Sequence, residues 1–448
     1  MSARTGEKAA LSVLETMDTE QAYMGQALAK ALHQQQLSGA DRSAAVAYAK
    51  LVVENRQAVD YALGQYTKLN KAGRTVRNIL RLGAARILFG NGADAQAVHG
   101  SVELCKAVGK GAQSKFVNAV LRNVSRNKTQ IPWPDEKADP LAFYSVRYSW
   151  PQFAVAEAFD LLGDGAKEFV SYTAPQPVVL RANPNKISRE DLSVLFAEQG
   201  MQTAPAPADE RALSVSNAQD LTGLAAYQDG LFSLQGQASM LAARQAFCKT
   251  GLVLDVCAAP GGKSFTLAEY MENTGVLDAF DLYKGRVNLI KKGAERLGLS
   301  IIHAAVRDAA TGVCEKQYDR VLCDVPCSGL GVIRRKPEIR YKKQESFKEL
   351  PALQLKILEH SAQLVRPGGM LFYSTCTLRN AENGAVVTEF LKRHPEFEPY
   401  DLPETEGISH MVNEPKFMRT MMPMDHGGDG FFAAAMRRKT ETGKETKR

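Results

Sequence analysis

The sequence predicts a multidomain chain: an all-α amino-terminal domain, a small α+β unit, and an α/β domain of Rossmann type. Three observations carry this. Apolar residues recur at helical spacing through the first 128 residues. Pro132, Pro134 and Pro140 then interrupt that pattern, ahead of a short strand and a capped helix. From Gly251 onward, short apolar runs alternate with helical segments, the signature of a parallel sheet with crossover helices.

Residues 1–128 read as helix throughout. Ser38-Gly39-Ala40-Asp41 offers a turn and an N-cap before the Ala- and Val-rich segment Arg42–Tyr66. Ile79, Leu82 and Ala85 keep the helical period, and Phe116, Val117, Val120 and Leu121 give a short apolar face. The polar positions around these faces are often basic, among them Arg74, Arg77, Arg81, Arg86, Lys106, Lys110 and Arg122. Residues 1–130 hold 18 Lys+Arg against 9 Asp+Glu, so the net charge of +7 for the whole chain leaves −2 for the rest. A basic excess confined to one domain points to a polyanionic partner, nucleic acid first.

Residues 129–170 are expected to be a linker and a connecting helix. The small unit spans 171–247, with a strand at Val178-Val179-Leu180-Arg181 and a helix Arg189–Gln199 capped by Ser188 and ended by Gly200. The sheet domain spans 248–439. Its strands are expected at Leu252–Val256, Gly275–Asp281, Ile301–Ala305, Arg320–Cys323 and Met370–Tyr373, with a closing strand in Gly430–Met436. The charged tail, 440–448, is expected to be disordered.

Composition excludes several classes. With 45% hydrophobic and 23% charged residues, it is that of an ordinary globular protein. No apolar stretch approaches the roughly 18–20 residues of a membrane span, and the first 30 residues lack the apolar core of a secretory signal. A cytoplasmic monomer with no membrane partner is the expectation. Seven cysteines are too sparse, and odd in number, for a disulfide framework. Cys323 and Cys327 have no second pair or histidine cluster nearby, so no metal is expected. Cys105, Cys248, Cys257, Cys314 and Cys323 read as small buried hydrophobes.

Asp255-Val256-Cys257-Ala258-Ala259-Pro260-Gly261-Gly262-Lys263 lies between a strand and a helix start, as a nucleotide loop would. A phosphate loop needs glycine where Cys257 stands, and the dinucleotide fingerprint is absent too. What remains is a tight glycine turn, with Asp281 twenty residues after Gly261, ending the next strand where a carboxylate can hold a ribose. Asp308, past the third strand, is placed to meet an adenine. A ribose and an adenine without a phosphate cradle point to S-adenosylmethionine, with the backbone at Gly261 and Gly262 open to close approach. Taken singly, Asp281 and Asp308 also read as helix N-caps.

Two further cysteines end strands: Cys327 in Asp324-Val325-Pro326-Cys327-Ser328-Gly329, and Cys376 in Ser374-Thr375-Cys376-Thr377. In open α/β folds that edge of the sheet binds ligands. Carbon 5 of cytosine is a poor nucleophile, and adding a thiolate to carbon 6 makes it enamine-like. The chemistry asks for a thiolate, a carboxyl at the nitrogen 3 edge and a second proton-handling group. Cys376, Asp324 and Cys327 match those needs, with Lys263 as the cation that would favour a thiolate.

These segments resemble the RNA cytosine-5 methyltransferases. The run Gly331-Val332-Ile333-Arg334-Arg335-Lys336-Pro337-Glu338-Ile339-Arg340-Tyr341 and the ending Pro423-Met424-Asp425-His426 with Asp429-Gly430-Phe431-Phe432 share the likeness, which covers roughly residues 145–440. In the first domain, Leu80-Arg81-Leu82-Gly83 and Phe116-Val117-Asn118-Ala119-Val120-Leu121-Arg122-Asn123 resemble the antitermination factor NusB. The two together are the layout of the RsmB (Sun) family, bacterial methyltransferases of 16S ribosomal RNA. The resemblance implies that Cys376 is the nucleophile, that Cys327 assists product release, and that Asp324 contacts the cytosine, with Lys263 in the same site. It also implies that Cys257, Ala258, Ala259, Pro260, Gly261, Gly262, Lys263, Asp281, Arg286, Asp308 and Asp324 line the cofactor. In DNA cytosine methyltransferases the Pro-Cys thiol attacks instead, so the choice of Cys376 rests on the family and not on spacing. Two departures stand out: Gly236 follows Gln235 where the family usually has Asp, and Val98-His99-Gly100-Ser101-Val102 replaces Val-Asn-Glu-Ala-Val.

Residues 320–348 hold eight Lys+Arg against three acids. Arg334, Arg335, Lys336 and Arg340 are therefore expected on phosphates flanking a target base in free or partly assembled 16S rRNA. Competing readings are the same chemistry on tRNA or 23S rRNA, and a non-catalytic RNA-binding or antitermination factor that kept the fold.

Overall fold

The computed structural model describes residues 2–440 apart from 21, 36, 38, 175, 218–219, 314, 405–410 and 412. Ser38, Cys314 and the tail 441–448 lie outside the described residues. Two compact units emerge: Met1–Ser171 with Lys336–Lys342, and Tyr172–Arg335 with Lys343–Arg448.

The first unit is helical. Helices Ser2–Glu20, Met24–Gln35, Gly39–Glu54, Arg56–Gly64, Arg74–Phe89, Asp94–Ala107 and Ser114–Arg126 bury one core, with Leu11, Val52, Ile79, Leu80, Val117 and Leu121 among its members. Two of the arginines read as surface charge turn inward. Arg81 is buried and grips both oxygens of Asp60 at 2.7 Å, and Arg86 pairs with the buried Glu7. That pair explains the Gly100 departure. A Cβ at Gly100 would lie 2.6 Å from Glu7 Oε1 and 3.2 Å from Arg86 Nη1, so the Glu7 carboxylate occupies the space of the family's usual glutamate.

The segment expected as a linker and a connecting helix holds three helices, and the reason is simple. Pro140 opens helix Pro140–Tyr148, where its missing N–H costs nothing, and Asp139 caps it by accepting from Ala142 N. Gln152–Leu162 and Gly165–Ser171 follow, and the first unit runs on through Ser171.

The second unit holds two sheets. Strands β1 (Val178–Ala182), β2 (Gln202–Pro205), β3 (Ala212–Ser216) and β4 (Phe232–Leu234) form an antiparallel sheet in the order β2-β3-β1-β4. Ser188 caps helix Arg189–Glu198, and Leu180, Phe196 and Phe232 meet in the core. Arg181 is wholly buried and chelates Glu269 at 2.7 and 3.1 Å, fixing this sheet to helix Gly262–Tyr270. A buried arginine keeps its charge only with such a partner.

The larger sheet contains β5 (Leu252–Asp255), β6 (Val276–Asp281), β7 (Ile302–Val306), β8 (Tyr318–Asp324), β9 (Val365–Thr375), β10 (Phe397–Pro399), β11 (Met418–Met421) and β12 (Phe431–Arg438). Its order is β10-β12-β9-β8-β5-β6-β7, with β11 on β12. β5 to β9 are parallel, and β12 runs antiparallel to β9. The chain leaves β5 toward β7 on one side and returns to β8 on the other. The carboxyl ends of β5 and β8 thus flank the switch point where such sheets bind ligands.

Candidate active site

The turn after β5 is built around Gly261, whose φ of 113° belongs to glycine and whose N–H donates to Ala258 O at 2.8 Å. Arg286 reaches across to donate to Ala259 O at 2.9 Å and stands 3.4 Å from Asp281 Oδ2. Asp281 ends β6 with its carboxyl buried, accepting from Tyr283 N at 3.2 Å. Leu282 and Tyr283, directly after it, are 50% and 60% exposed, an apolar ledge that sequence reading missed although both follow a strand-ending acid. Asp308 is exposed and accepts from Ala310 N, a bond that holds its carboxyl below the usual range. It caps its own turn, with no helix among the described residues between it and β8.

Asp255, at the end of β5, is buried. One oxygen accepts from Ser264 Oγ at 2.7 Å, and Oδ1 has no hydrogen-bond partner. Burial, with the nearby Asp324 charge, pushes this carboxyl up to about 7, against the pull of Ser264 and Lys263. A buried carboxylate oxygen left unpaired is costly, and a cationic ligand group beside it removes the cost. The residues present therefore fit a cofactor that carries positive charge. Burial also pushes the Cys257 thiol well up, which keeps it neutral in the cradle wall.

The two thiols meet beyond this cradle. Cys327 Sγ lies 3.2 Å from Cys376 Sγ, hydrogen-bonded but unbridged, since a disulfide needs about 2.05 Å. Asp324, ending β8, accepts from Lys263 Nζ at 2.7 Å and from Ser374 Oγ at 2.8 Å. The Lys263 ammonium is thus held by Asp324, and it also sits 5.0 Å over the Phe431 ring. The hydrogen bond to Cys376, then burial, the Cys376 charge and Glu382 push the Cys327 thiol well up. The two loops are stitched together by Gly331 N to Cys376 O at 3.0 Å and Gly430 N to Gly331 O at 2.8 Å. Any Cβ at Gly331 would overlap the Gly430 carbonyl.

The chain that carries this two-thiol, one-carboxylate centre is similar to known proteins. The family model described as 16S rRNA methyltransferase RsmB/F matches residues 244–437, and the NusB family matches 4–126. A Bacillus subtilis protein described as a probable ribosomal RNA small subunit methyltransferase B is 36% identical, over 96% of this chain and 98% of its own. The chain belongs to the RsmB/F family of 16S rRNA methyltransferases. A Synechocystis relative of the same description is 30% identical over 96% and 98% of the two chains. The solved structure of PH0851 superposes with a TM-score of 0.81 over 97% of this chain and 99% of its own, at 22% identity, which shows a shared fold.

In this RsmB/F chain three of the four cations expected at RNA also have partners within the protein. Arg334 donates to Gly428 O at 3.0 Å and to Ala174 O, and stacks over Tyr172. Arg335 pairs with Asp429 at 2.9 Å. Arg340 is held within the helical unit by Glu54 O at 2.7 Å and Tyr148 O at 2.8 Å. Lys336 is exposed to solvent. The reason is general: buried backbone carbonyls need donors, and a guanidinium supplies five.

Three residues of the site carried no sequence signal. Glu382, Gln354 and Asn383 are buried and bond the backbone beside the thiols. Asn383 donates to Thr377 O at 2.9 Å and accepts from Thr375 Oγ1 at 2.6 Å, bracketing Cys376. The departure Gly236 sets a backbone beside Asp429, with a Cβ there falling 3.3 Å from Asp429 Oδ2.

Proposed function

We propose that this methyltransferase modifies carbon 5 of a cytosine in 16S rRNA, through a bond between Cys376 and carbon 6 of the base. It acts in the cytoplasm as a monomer, on free or partly assembled RNA. The observation that carries the reading is the pair of thiols 3.2 Å apart, beside a carboxylate held between Lys263 and Ser374. S-adenosylmethionine, bound along Cys257–Lys263 with Asp255, Asp281 and Arg286, supplies an electrophilic methyl group.

Cys376 attacks as the thiolate, and the Cys327 S–H donates a hydrogen bond to it. This order is supported by the groups behind Cys327: its bond to Cys376 and the Glu382 carboxylate both oppose its ionisation. Attack places charge on the ring. The Asp324–Lys263 pair meets the nitrogen 3 edge, and the Lys263 ammonium held by Asp324 stabilises that charge. Carbon 5 then takes the methyl group. Once Cys376 is a thioether, its charge and its pull on the Cys327 proton are gone. Cys327 releases that proton to water and accepts the carbon 5 proton. The carbon 6–sulfur bond breaks, its electron pair returns to Cys376, and the net yield is one proton per methyl group. The target base reaches this centre only when flipped out of its stack.

Nucleoside analysis of 16S rRNA, 23S rRNA and tRNA after incubation with the enzyme and S-adenosylmethionine tests this. The expected result is 5-methylcytidine in 16S rRNA alone. A methyl group on another atom, or on tRNA or 23S rRNA instead, would contradict it.

A further inference from the structure

The loop that carries Cys327 is held from behind by one buried carboxylate that takes no proton or bond in the chemistry above. Glu382 is fully buried and lies in the turn after Cys376. Its Oε2 accepts from Ser328 N at 2.8 Å and from Gln354 Nε2 at 3.0 Å, and its Oε1 accepts from Arg379 Nη1 at 3.0 Å. Gln354, also fully buried, donates in addition to Pro326 O at 2.9 Å. The backbone on both sides of Cys327 is therefore fixed by the Glu382–Gln354 pair. The Glu382 carbonyl accepts from Tyr373 OH at 2.6 Å, tying the same turn to β9.

We propose that Glu382 is a positioning residue for release of the methylated base, acting through Cys327 and not on the attack by Cys376. This rests on the covalent reading above. Three arguments support it. A buried carboxylate is costly, and three donors satisfy this one, so the turn has one arrangement. The bonds end on Pro326 O and Ser328 N, whereas Cys376 is bracketed by Asn383. The charge of Glu382 also disfavours a Cys327 thiolate while Cys376 carries charge, and makes that thiolate a stronger base once it forms.

The step is elimination: Cys327 sulfur gains the carbon 5 proton as the carbon 6–sulfur pair returns to Cys376. A reach error of about 1 Å here slows that step on the order of 10²-fold. The full-length Glu382→Gln variant keeps the shape and removes the charge, so Oε2 can no longer serve two donors as strongly. Single-turnover adduct formation and adduct decay are measured with 16S rRNA and S-adenosylmethionine, in wild type, Glu382→Gln, Cys327→Ala and the double variant. The expected result is near-normal formation and decay at least about tenfold slower in Glu382→Gln. No further slowing of decay is expected in the double variant beyond Cys327→Ala alone. Gln354→Ala, which frees Pro326 O without removing the carboxylate, should slow decay in the same way and serves if Glu382→Gln does not fold. Loss of formation in step with decay, or multiplied effects in the double variant, would overturn the proposal. An absent adduct in Cys327→Ala itself would instead sink the covalent reading, a separate failure.

Discussion

The loops after β8 and β9 each carry one thiol at the end of a parallel strand, yet they are fixed differently. The β9 loop is held by the residues that follow it: Asn383, seven positions after Cys376, bonds Thr375 and Thr377 on either side. The β8 loop is held from elsewhere, by Gln354 and by Glu382, 55 residues beyond Cys327. Cys376 thus sits in a locally closed turn, and Cys327 in one completed by distant buried charge. The difference teaches that two chemically similar groups can be tuned apart by what stands behind them. Cys327 has a carboxylate at its back that disfavours its ionisation, whereas the side chain bracketing Cys376 is the neutral Asn383.

Substitutions can break or sharpen that contrast. The largest effect belongs to Cys376→Ala, which removes the atom proposed to attack. Methyl transfer to 16S rRNA should fall at least about 10⁴-fold, with no adduct. Asp324→Asn, at the root of the β8 loop, should cost about 10²–10³-fold in single-turnover formation, because Lys263 loses the carboxylate that holds it in place. Asn383→Ala loosens the β9 loop alone and should slow adduct formation about tenfold to a hundredfold while leaving adduct decay intact, the mirror of Glu382→Gln.

Asp255 gives a smaller, pH-dependent effect. Its folded-state carboxyl is raised to about 7, so between about 4 and 7 the native state holds more protons than the unfolded one. Stability of the ligand-free protein therefore falls as pH rises through that window. Asp255→Asn should raise thermal stability at pH 8, by roughly 1–3 kcal/mol, and change little at pH 4. The same substitution should weaken S-adenosylmethionine binding most above pH 7, measured by calorimetry. As a control outside both loops, Gly100→Glu would set a second carboxylate against Glu7. It should cost about 2–4 kcal/mol in denaturant unfolding with adduct formation unchanged.

Much of this was legible in the sequence, for a physical reason. Alternating apolar runs give the strands, and β5, β6, β7, β8 and β12 fall within two residues of their expected limits. The thiols and Asp324 were readable because strand ends in a parallel sheet share one edge. Glu382, Gln354 and Asn383 were not, since only folding brings a helix residue and a turn residue to Pro326 O and Ser328 N. The partners of the cations at 334–340 were not legible, because a charge count does not say which way a guanidinium points. Arg340 turns to backbone carbonyls of the helical unit. Pro140 misled, since a proline at a helix start looks, in sequence, like one that breaks a helix.

The most direct test of the covalent account is a trapping experiment on the full-length protein. Wild type, Cys327→Ala and Cys376→Ala are incubated with 16S rRNA and S-adenosylmethionine, denatured, and the cross-linked peptide is sequenced by mass spectrometry. The account predicts an adduct that accumulates in Cys327→Ala, attached at Cys376, and is absent in Cys376→Ala. An adduct at Cys327 that accumulates in Cys376→Ala would contradict it.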